Sequence, residues 1–295
     1  MAILELDLTK KQCVEFAVEG HEPSLLPKGK NFKLAWADEF DGGTLDKSKW
    51  NYRTYFWQQK AVQFCDQGVS LDGNSNLIIQ PVLMEDGRIC SAQLQTSTNT
   101  LDLPKFVPDG KSNPCGDNNF WPLGIIPEPK FQHRYGYYEI RCKLQEDTAR
   151  HWWSAFWLQS PSIGTAYNAE YCGVENDIME YFSDGICTSG NFYDGYATGN
   201  LKRDARVHYK KPESKDGYHR FGLLWEPDKY VFYCDGVETS RTTKKISQVE
   251  QFILISTEIE GYRKGDGKKH KEGAECILDD KFIVDYVRVF DQVKD

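Results

Sequence analysis

The chain has 295 residues, a formal net charge of −8 and an isoelectric point near 5.4. The acidic balance argues against a nucleic-acid partner, which would require a basic face, and no apolar run is long enough to cross a membrane as a helix. A hydrophobic content of 40% with 14% aromatic residues is enough for a sizeable core, in one large β domain or two smaller domains.

Residues 1–31 are predicted to form an N-terminal extension that packs on the rest of the chain, because they are too few to build a core of their own. Alternating leucines near the start are typical of a strand. The segment 9–19 has two interpretations. Its Thr-x-x-Gln pattern matches a capping box that begins a short helix, whereas its apolar residues at positions 14, 16 and 18 alternate as in a strand.

The cellular location is left open by the N-terminus and the cysteines. Residues 1–8 lack the basic and apolar regions of a signal peptide, so either the protein stays inside the cell or a leader has been removed. The nine cysteines are scattered without C-x-x-C pairs, which argues against a disulfide framework and against a zinc site. Free thiols in a reducing, cytoplasmic compartment fit this pattern best.

Residues 32–295 read as one β-sandwich domain, because short strands alternate with turns. Residues 99–131 are rich in Pro, Gly and Asn and predict a long loop. In this loop Trp121 either contacts a ligand or pins the loop to the body. Residues 135–144 and 151–159 are predicted to pair as antiparallel strands. In the second, Trp153 and Trp157 share one face, and alternation alone favours the core for both.

Residues 173–182 form an apolar strand that three acids interrupt. Glu175 and Asp177 share a face, and Glu180 is out of phase with them. A β-bulge at Ile178–Met179 would return Glu180 to the acidic face. Adjacent carboxyls cannot all ionise, so one keeps a proton and supplies the acid of a retaining glycoside hydrolase. The alternatives are a solvated acidic strand or a calcium site.

Further along, residues 217–225 and 230–235 predict a hairpin. His219 in its first strand is interpreted as a structural residue, as a lone histidine usually is. The Lys-rich loop 263–271 is either solvated or placed to contact an anionic, sulfated glycan. Residues 281–290 predict the last strand, which carries Asp285.

The Glu175-x-Asp177-x-x-Glu180 pattern resembles the bulged E-x-D-x-x-E signature of glycoside hydrolase family 16. Other segments agree with the family in the same order, namely residues 36–42, 45–50, 135–141, 153–157, 218–228 and 284–289. The resemblance covers residues 33–290 and is much more specific than one motif. It implies an all-β, concanavalin-like jelly-roll sandwich of two curved antiparallel sheets with an open substrate cleft. Family members are often secreted.

The resemblance also implies roles for particular residues. Glu175 matches the nucleophile, Glu180 the general acid and base, and Asp177 the helper that hydrogen-bonds the nucleophile. Aromatic side chains expected to bind sugar rings are Trp153, Trp157, Tyr171, Tyr193 and Trp121. The matching ligands for a structural calcium ion are the side chain of Asp285 and backbone carbonyls near Glu39 and Gly73. For Asp285, satisfaction by backbone N–H groups is the alternative. No cofactor is required.

The sequence departs from the family at two places. Phe192 stands where many relatives carry a histidine on the next cleft strand. The loop 167–173, which precedes the nucleophile, contains tyrosines but no tryptophan, unlike many β-1,3-glucanases of the family. Both departures weaken the assignment to β-1,3-glucan without indicating another substrate.

The sequence therefore predicts a monomeric, retaining endo-β-glycanase that acts on a polysaccharide. The default substrate is β-1,3(1,4)-glucan. One alternative is an endo-β-galactanase acting on a galactan that can be sulfated. Another is a non-catalytic glycan-binding module on the same fold. Because Glu175, Asp177 and Glu180 are all present, the enzyme is favoured over the binding module.

Overall fold

The computed structural model describes residues 2–56, 58–104, 124–194, 201–262 and 269–293. Within these ranges, none of the helices has the length and apolar character that crossing a bilayer requires. Helical structure in the same ranges is limited to a four-residue α-helix, α1 (Ala169–Cys172), and three 3-10 turns, at Leu8–Lys10, Thr100–Asp102 and Ala274–Ile277.

The strands of the described residues follow one another in chain order. They are β1 (Ile3–Glu5), β2 (Cys13–Val18), β3 (His21–Pro27), β4 (Asn31–Asp38), β5 (Asn51–Tyr52), β6 (Tyr55–Phe56), β7 (Gln59–Lys60), β8 (Val69–Leu71), β9 (Leu77–Ile79), β10 (Val82–Leu83), β11 (Ile89–Cys90), β12 (Gln93–Gln95), β13 (Gly136–Lys143), β14 (Trp152–Gln159), β15 (Glu175–Ser183), β16 (Ile186–Tyr193), β17 (Lys202–Lys210), β18 (Tyr218–Glu226), β19 (Lys229–Cys234), β20 (Val237–Thr242), β21 (Phe252–Ile259) and β22 (Phe282–Val293).

Most of these strands belong to two eight-stranded sheets. The first, here called the cleft sheet, has the order β1-β17-β16-β15-β14-β21-β12-β5. The second, here called the outer sheet, has the order β20-β19-β18-β13-β22-β9-β8, and β4 also pairs with β22. Pairing is antiparallel except between β1 and β17. The prediction of an all-β jelly-roll sandwich is confirmed.

The main core lies between the two sheets. From β14 it takes Trp152, Phe156 and Leu158, and from β13 it takes residues such as Tyr138 and Ile140, all of them fully buried. Burial of such side chains is the main favourable term in folding. Because side chains alternate along a strand, the other face of β14 is directed away from this core. That face forms part of the site described below.

The predicted pairing of residues 135–144 with residues 151–159 is wrong. In the structure β13 pairs with β18 and β22 in the outer sheet, whereas β14 pairs with β15 and β21 in the cleft sheet. The connection between them crosses from one sheet to the other. Their apolar faces therefore meet across the core, and alternation alone does not distinguish that arrangement from a hairpin.

The N-terminal segment forms a strand and a hairpin. The hairpin β2–β3 packs on the outer sheet, where Cys13, Leu25 and Leu26 contact apolar residues that include Tyr137. Of the two interpretations of residues 9–19, the strand is correct, and only Leu8–Lys10 forms a short 3-10 turn. β1 adds a parallel strand to the edge of the cleft sheet beside β17.

The predicted hairpin near the C-terminal half is confirmed as β18–β19. His219 on β18 is almost fully buried, and its Nδ1 lies 2.8 Å from Asp235 Oδ2. The histidine is therefore held inside the outer sheet by a carboxylate, which agrees with the structural role predicted for it.

Candidate active site

The three acids of β15 share one surface because of an irregularity in the strand. Along β14, Trp157 pairs with Asp177 and Phe156 pairs with Met179, so Ile178 has no partner there. The same shift occurs against β16, between Asp177 and Glu180. Ile178 and Met179 both point into the core. The predicted bulge is confirmed, and it returns Glu180 to the face that carries Asp177.

Each glutamate of the site is oriented by a neighbouring side chain. Gln159 Nε2 on β14 donates a hydrogen bond to Glu175 Oε2 at 3.2 Å. Thr188 on β16 donates through its hydroxyl to Glu180 Oε2 at 3.1 Å. Asp177 lies between the two along β15 and is only 6% exposed. The two outer carboxyls thus have separate polar partners, and both line the same cleft.

Two tryptophans of β14 form one wall of this cleft. Trp153 and Trp157 are 8% and 9% exposed, so most of each ring is packed and part of it faces the cleft. Trp157 donates its indole N–H to Ser256 Oγ at 2.9 Å. Trp153 stacks on Phe182, with ring centroids 5.6 Å apart. These contacts fix two aromatic side chains on the cleft side, whereas alternation alone favoured the core for both.

An arginine that sequence reasoning did not single out supports the same wall. Arg53 is 4% exposed, and its Nε lies 2.7 Å from Asp102 Oδ2. Its Nη1 donates to Gln93 Oε1 at 2.7 Å. The guanidinium carbon lies 5.5 Å from the Trp157 ring and 5.1 Å from the Phe56 ring. Arg53 is therefore held by an ion pair with Asp102 and packs against two aromatic rings of the cleft.

The opposite wall combines an aromatic ring with a second arginine. Phe192 on β16 pairs directly with Glu175. The guanidinium of Arg206 on β17 lies 5.5 Å from the Phe192 ring, a distance at which a cation is attracted to a π face. Both residues line the cleft. A guanidinium beside an apolar ring therefore stands where the family resemblance led us to expect a histidine.

Arg206 reaches the cleft through a second bulge. Ser189 pairs with Val207 and Asn191 pairs with Asp204, so two residues of β17 lie opposite Gly190 alone. The backbone of this bulge enters the left-handed region, because Ala205 has a φ of 52°. A Cβ at Gly190 would lie 3.1 Å from the Cα of Arg206. The absence of a side chain at Gly190 is what lets β17 approach β16 here.

Not every predicted sugar-binding residue lies in the cleft. The residues that line it are Arg53, Phe56, Trp153, Ala155, Trp157, Gln159, Glu175, Asp177, Glu180, Phe182, Phe192, Leu201, Arg206, Ser256 and Glu258, around a volume of about 330 Å³. Tyr193 instead packs with Ala169 and Val174, because it follows Phe192 directly and points to the other face. Tyr171 on α1 is 68% exposed and does not line the cleft. Trp121 lies outside the described residues.

The predicted calcium ligands are the Asp285 carboxylate and backbone carbonyls near Glu39 and Gly73, and the carboxylates in this region have arginine partners. Asp285 Oδ2 accepts a hydrogen bond from Arg141 Nη1 at 2.6 Å. The two carboxylate oxygens of Glu39 accept from Arg288 at 2.8 and 2.7 Å. Gly73 lies in the turn between β8 and β9 with a φ of 78°. The guanidinium of Arg141 at Asp285 argues against a cation there, and the calcium site stays a prediction.

Some cleft residues could have been found from the sequence, and others could not. Gln159 continues the alternation of Trp153, Ala155 and Trp157 along β14, so a longer reading of that pattern would have identified it. Arg206 could not have been found in this way, because a bulge shifts its phase.

Comparison with known proteins agrees with this architecture. Residues 119–271, slightly more than half of the chain, match the family glycosyl hydrolases family 16. A glucan endo-1,3-beta-glucosidase A1 of Niallia circulans is 27% identical over 217 residues, which cover 71% of this chain and 29% of that protein. A beta-porphyranase B of Phocaeicola plebeius is 26% identical over 267 residues, 78% of this chain and 75% of that protein. The chain thus spans less than a third of the first relative's length.

A solved structure shares the fold. The catalytic domain of an endo-1,3-beta-glucanase (laminarinase) from Thermotoga petrophila RKU-1 superposes with a TM-score of 0.63 at 22% identity, covering 90% of this chain and all of that domain. At this identity the match concerns the fold alone. The bulged acidic strand, the cleft and the family match lead to one conclusion. The chain belongs to glycosyl hydrolases family 16.

Proposed function

We propose that the protein is a retaining endo-β-glycanase in which Glu175 is the nucleophile and Glu180 is the general acid and base. The observation that carries this proposal is the bulge at Ile178–Met179, which brings Glu175, Asp177 and Glu180 onto the floor of one cleft. Two carboxyls beside one scissile bond are the groups that retaining glycoside hydrolysis requires.

In the first step Glu175 attacks the anomeric carbon while Glu180 gives its proton to the leaving oxygen. The hydrogen bond from Gln159 to Glu175 Oε2 orients the carboxylate that forms the ester. Thr188 donates a hydrogen bond to Glu180 Oε2 and so orients the carboxyl that gives the proton. The products are a glycosyl ester on Glu175 and a polysaccharide fragment with a new non-reducing end.

In the second step Glu180, now ionised, removes a proton from water. The water oxygen attacks the anomeric carbon, the ester bond to Glu175 breaks, and the sugar leaves with its original configuration. Asp177 lies between the two glutamates along the strand. Its carboxylate interacts electrostatically with both and so helps to set which of them carries the proton.

The substrate that we propose first is a β-1,3(1,4)-glucan. The walls formed by Trp153 and Trp157 support it, because flat aromatic rings offer large apolar contact to the faces of sugar rings. The glucan endo-1,3-beta-glucosidase of Niallia circulans, with which this chain aligns over 217 residues, also supports it.

A second candidate is an endo-β-galactanase acting on an anionic, sulfated galactan. The specific observation in its favour is Arg206 beside Phe192 at the nucleophile end of the cleft. A guanidinium next to an apolar ring suits a sulfate ester, because arginine makes paired hydrogen bonds to such oxygens. The alignment with beta-porphyranase B over 78% of this chain is consistent with this candidate.

Release of reducing ends from a polysaccharide panel tests the proposal. The panel contains laminarin, mixed-linkage glucan, xyloglucan, agarose, porphyran, carrageenan and desulfated forms of the anionic polymers, and the Glu180→Gln variant is the blank. Cleavage of laminarin or mixed-linkage glucan into short oligosaccharides supports the glucanase. Cleavage only of an anionic galactan, with loss of activity after desulfation, selects the second candidate. Turnover by Glu175→Gln at near wild-type rate would overturn the assignment of the nucleophile.

A further inference from the structure

Three side chains with metal-binding atoms meet outside the cleft. Asp147 and His151 belong to the segment that precedes β14, and Cys276 lies in the 3-10 turn Ala274–Ile277. One carboxylate oxygen, one imidazole nitrogen and the thiol sulfur lie within 4.8 Å of one another. Among the residues that the structure describes, this is the one group of three or more such ligands that is close enough to hold a metal ion.

The distances within this group approach those of a tetrahedral zinc site. Zinc bonds of about 2.3 Å to sulfur and 2.0–2.1 Å to nitrogen or oxygen place ligand atoms about 3.4–3.6 Å apart at the tetrahedral angle. Cys276 Sγ and His151 Nδ1 are 3.5 Å apart. His151 Nδ1 and Asp147 Oδ1 are 2.9 Å apart, as a hydrogen bond. Zinc binding would require that contact to open by about half an ångström, and the Asp147 oxygen already lies within 4.8 Å of Cys276 Sγ.

The ligands are held in place by their surroundings. The Asp147 carboxylate accepts backbone hydrogen bonds from Ala149 at 3.1 Å and from His151 at 2.6 Å. The side chains of Asp147 and His151 are 4% and 9% exposed. The other ring nitrogen of His151 is directed toward Gly273, where a Cβ would lie 3.5 Å from it. Ligands that are oriented before the metal arrives lose less entropy on binding.

The thiol of this group differs from the other described cysteines. Cys276 is exposed, whereas the remaining seven for which burial is described are buried. The arrangement is not that of a catalytic cysteine, because a nucleophile and an orienting acid must use different nitrogens of the histidine. Here Cys276 and Asp147 both approach His151 Nδ1. Ligands converging on one point are instead what a metal ion requires.

We propose that Asp147, His151 and Cys276 form a binding site for Zn²⁺ or a chemically similar divalent ion, with solvent as the fourth ligand on the exposed side. On binding, the metal replaces the thiol proton, which leaves to solvent. The imidazole binds the metal through Nδ1 and carries its proton on Nε2. The absence of a C-x-x-C motif concealed this site, because Cys276 is 125 residues away from His151 in the sequence.

The metal would join two segments at one end of the cleft sheet. Lys271 Nζ already donates to the carbonyl of Ala149, and the Glu260 amide donates to the carbonyl of His151 at 2.7 Å. The metal would add a stronger link between the same parts of the chain. Arg150 in this segment lies 4.5 Å from the ring of Phe182, which lines the cleft. None of the three ligands lines the cleft itself, so the metal would be structural and the inference does not depend on the proposed hydrolysis.

Cobalt titration of the metal-free protein tests this proposal directly. Co²⁺ bound by a thiolate gives a near-ultraviolet charge-transfer band, so one equivalent is expected to produce it and Zn²⁺ to displace it. In Cys276→Ser the band is expected to disappear, and zinc affinity is expected to fall at least about 100-fold in Cys276→Ser and His151→Gln. His270→Gln is the matched control, because His270 lies in the same region and is not a ligand. No band in the wild type, or an unchanged band in Cys276→Ser, overturns the site.

Two further measurements separate binding from failure to fold and from catalysis. Zinc is expected to raise the Tm of the wild type and of Glu180→Gln equally, and to leave the Tm of Cys276→Ser unchanged. Zinc is also expected to protect the Cys276 thiol from a disulfide reagent, and EDTA to reverse the protection. A zinc-dependent Tm shift that persists in Cys276→Ser would assign the metal to other residues. Loss of hydrolysis in Glu180→Gln with intact zinc binding keeps the two proposals separate.

Discussion

Phe192 lies directly opposite Glu175 across the β15–β16 pair. An apolar ring therefore lies beside the proposed nucleophile, and the guanidinium of Arg206 lies 5.5 Å from the same ring. Polar support for Glu175 comes from the other side, through Gln159. The two sides of the cleft thus differ in chemistry, and this difference leads to the first prediction.

Arg206→Met is expected to weaken binding of a sulfated galactan and to leave binding of a neutral glucan nearly unchanged. Methionine keeps much of the apolar contact with Phe192 and removes the charge. The hydrogen bond that arginine would make to the ionised sulfate, which contributes about 1.5–3 kcal/mol, is then lost. Affinity is measured by calorimetry in the Glu180→Gln background, where substrate is not consumed. Arg203→Met is the control, since Arg203 is exposed on the same strand and does not line the cleft. Equal effects of both variants would remove the support for the galactan candidate.

The two glutamates are expected to respond differently to azide. In Glu175→Ala an azide ion can enter the space of the lost carboxylate and attack the substrate from that side, giving an α-glycosyl azide. In Glu180→Ala the ester on Glu175 still forms from a substrate with a good leaving group, and azide then gives a β-glycosyl azide. NMR of the products distinguishes the two anomers. A β-glycosyl azide from Glu175→Ala together with an α-glycosyl azide from Glu180→Ala would reverse the assigned roles.

Gly190→Ala is expected to lower both stability and activity. The added Cβ would lie 3.1 Å from Arg206 Cα and 3.2 Å from its Cβ, so β17 must move away from β16. Overpacking of this kind costs about 1–3 kcal/mol, and the shift displaces Arg206 from the cleft. Thermal unfolding and kcat/KM are measured together. Gly43→Ala serves as the control, because nothing lies within 4 Å of a Cβ at Gly43. Equal Tm values for the two variants would contradict the close approach.

Stability is expected to fall as the pH rises from about 4.5 to about 7 because of Glu139. Burial raises the pKa of this carboxyl from its usual 4.5 to about 7, although Tyr286 and the Leu25 amide donate hydrogen bonds to it. The folded protein therefore binds a proton that the unfolded chain releases in this range. The shift corresponds to about 3 kcal/mol, which is present below pH 4.5 and lost above pH 7.

Urea unfolding as a function of pH tests this dependence. Glu139→Gln is expected to reduce the slope of unfolding free energy between pH 4.5 and 7, because glutamine has no ionisable proton. Glu15→Gln is the control, since Glu15 is exposed on the N-terminal hairpin. If Glu139→Gln keeps the wild-type slope, the pH dependence arises from other groups.

Asp102→Ala is expected to destabilise the protein strongly and to reduce activity. Asp102 and Arg53 are a buried pair, with side chains 1% and 4% exposed. Removing one partner leaves an uncompensated buried charge, at a cost of about 3–5 kcal/mol. Arg53 also contacts Trp157, so the cleft wall is expected to loosen and KM to rise. Asp86→Ala, which removes a partly exposed pair with Arg88, is expected to have a far smaller effect on Tm.

The sequence by itself determined the family, the sandwich and the acidic strand. Glu175, Asp177 and Glu180 are close neighbours, so their spacing and the need for a bulge follow from the two-residue period of a strand. The same local rules predicted the hairpin β18–β19. The acidic strand and the hairpin depend on residues that are near one another in the chain, and such patterns can be read without knowing which strands pair. The family and the sandwich were read from several such local segments that follow in the family's order over residues 33–290.

Only the tertiary structure decided which residues surround the acids. It assigned β13 and β14 to different sheets and directed Tyr193 away from the cleft. For Trp153 and Trp157 it confirmed the cleft side that the family resemblance implied and that alternation alone did not favour. Arg206 owes its place to a bulge opposite Gly190, and Cys276 meets His151 across 125 residues of sequence. These contacts depend on strand register, on bulges and on chain crossings between sheets. A shift of one residue in any of them reverses the direction of every following side chain, and a periodic pattern carries no information about such shifts.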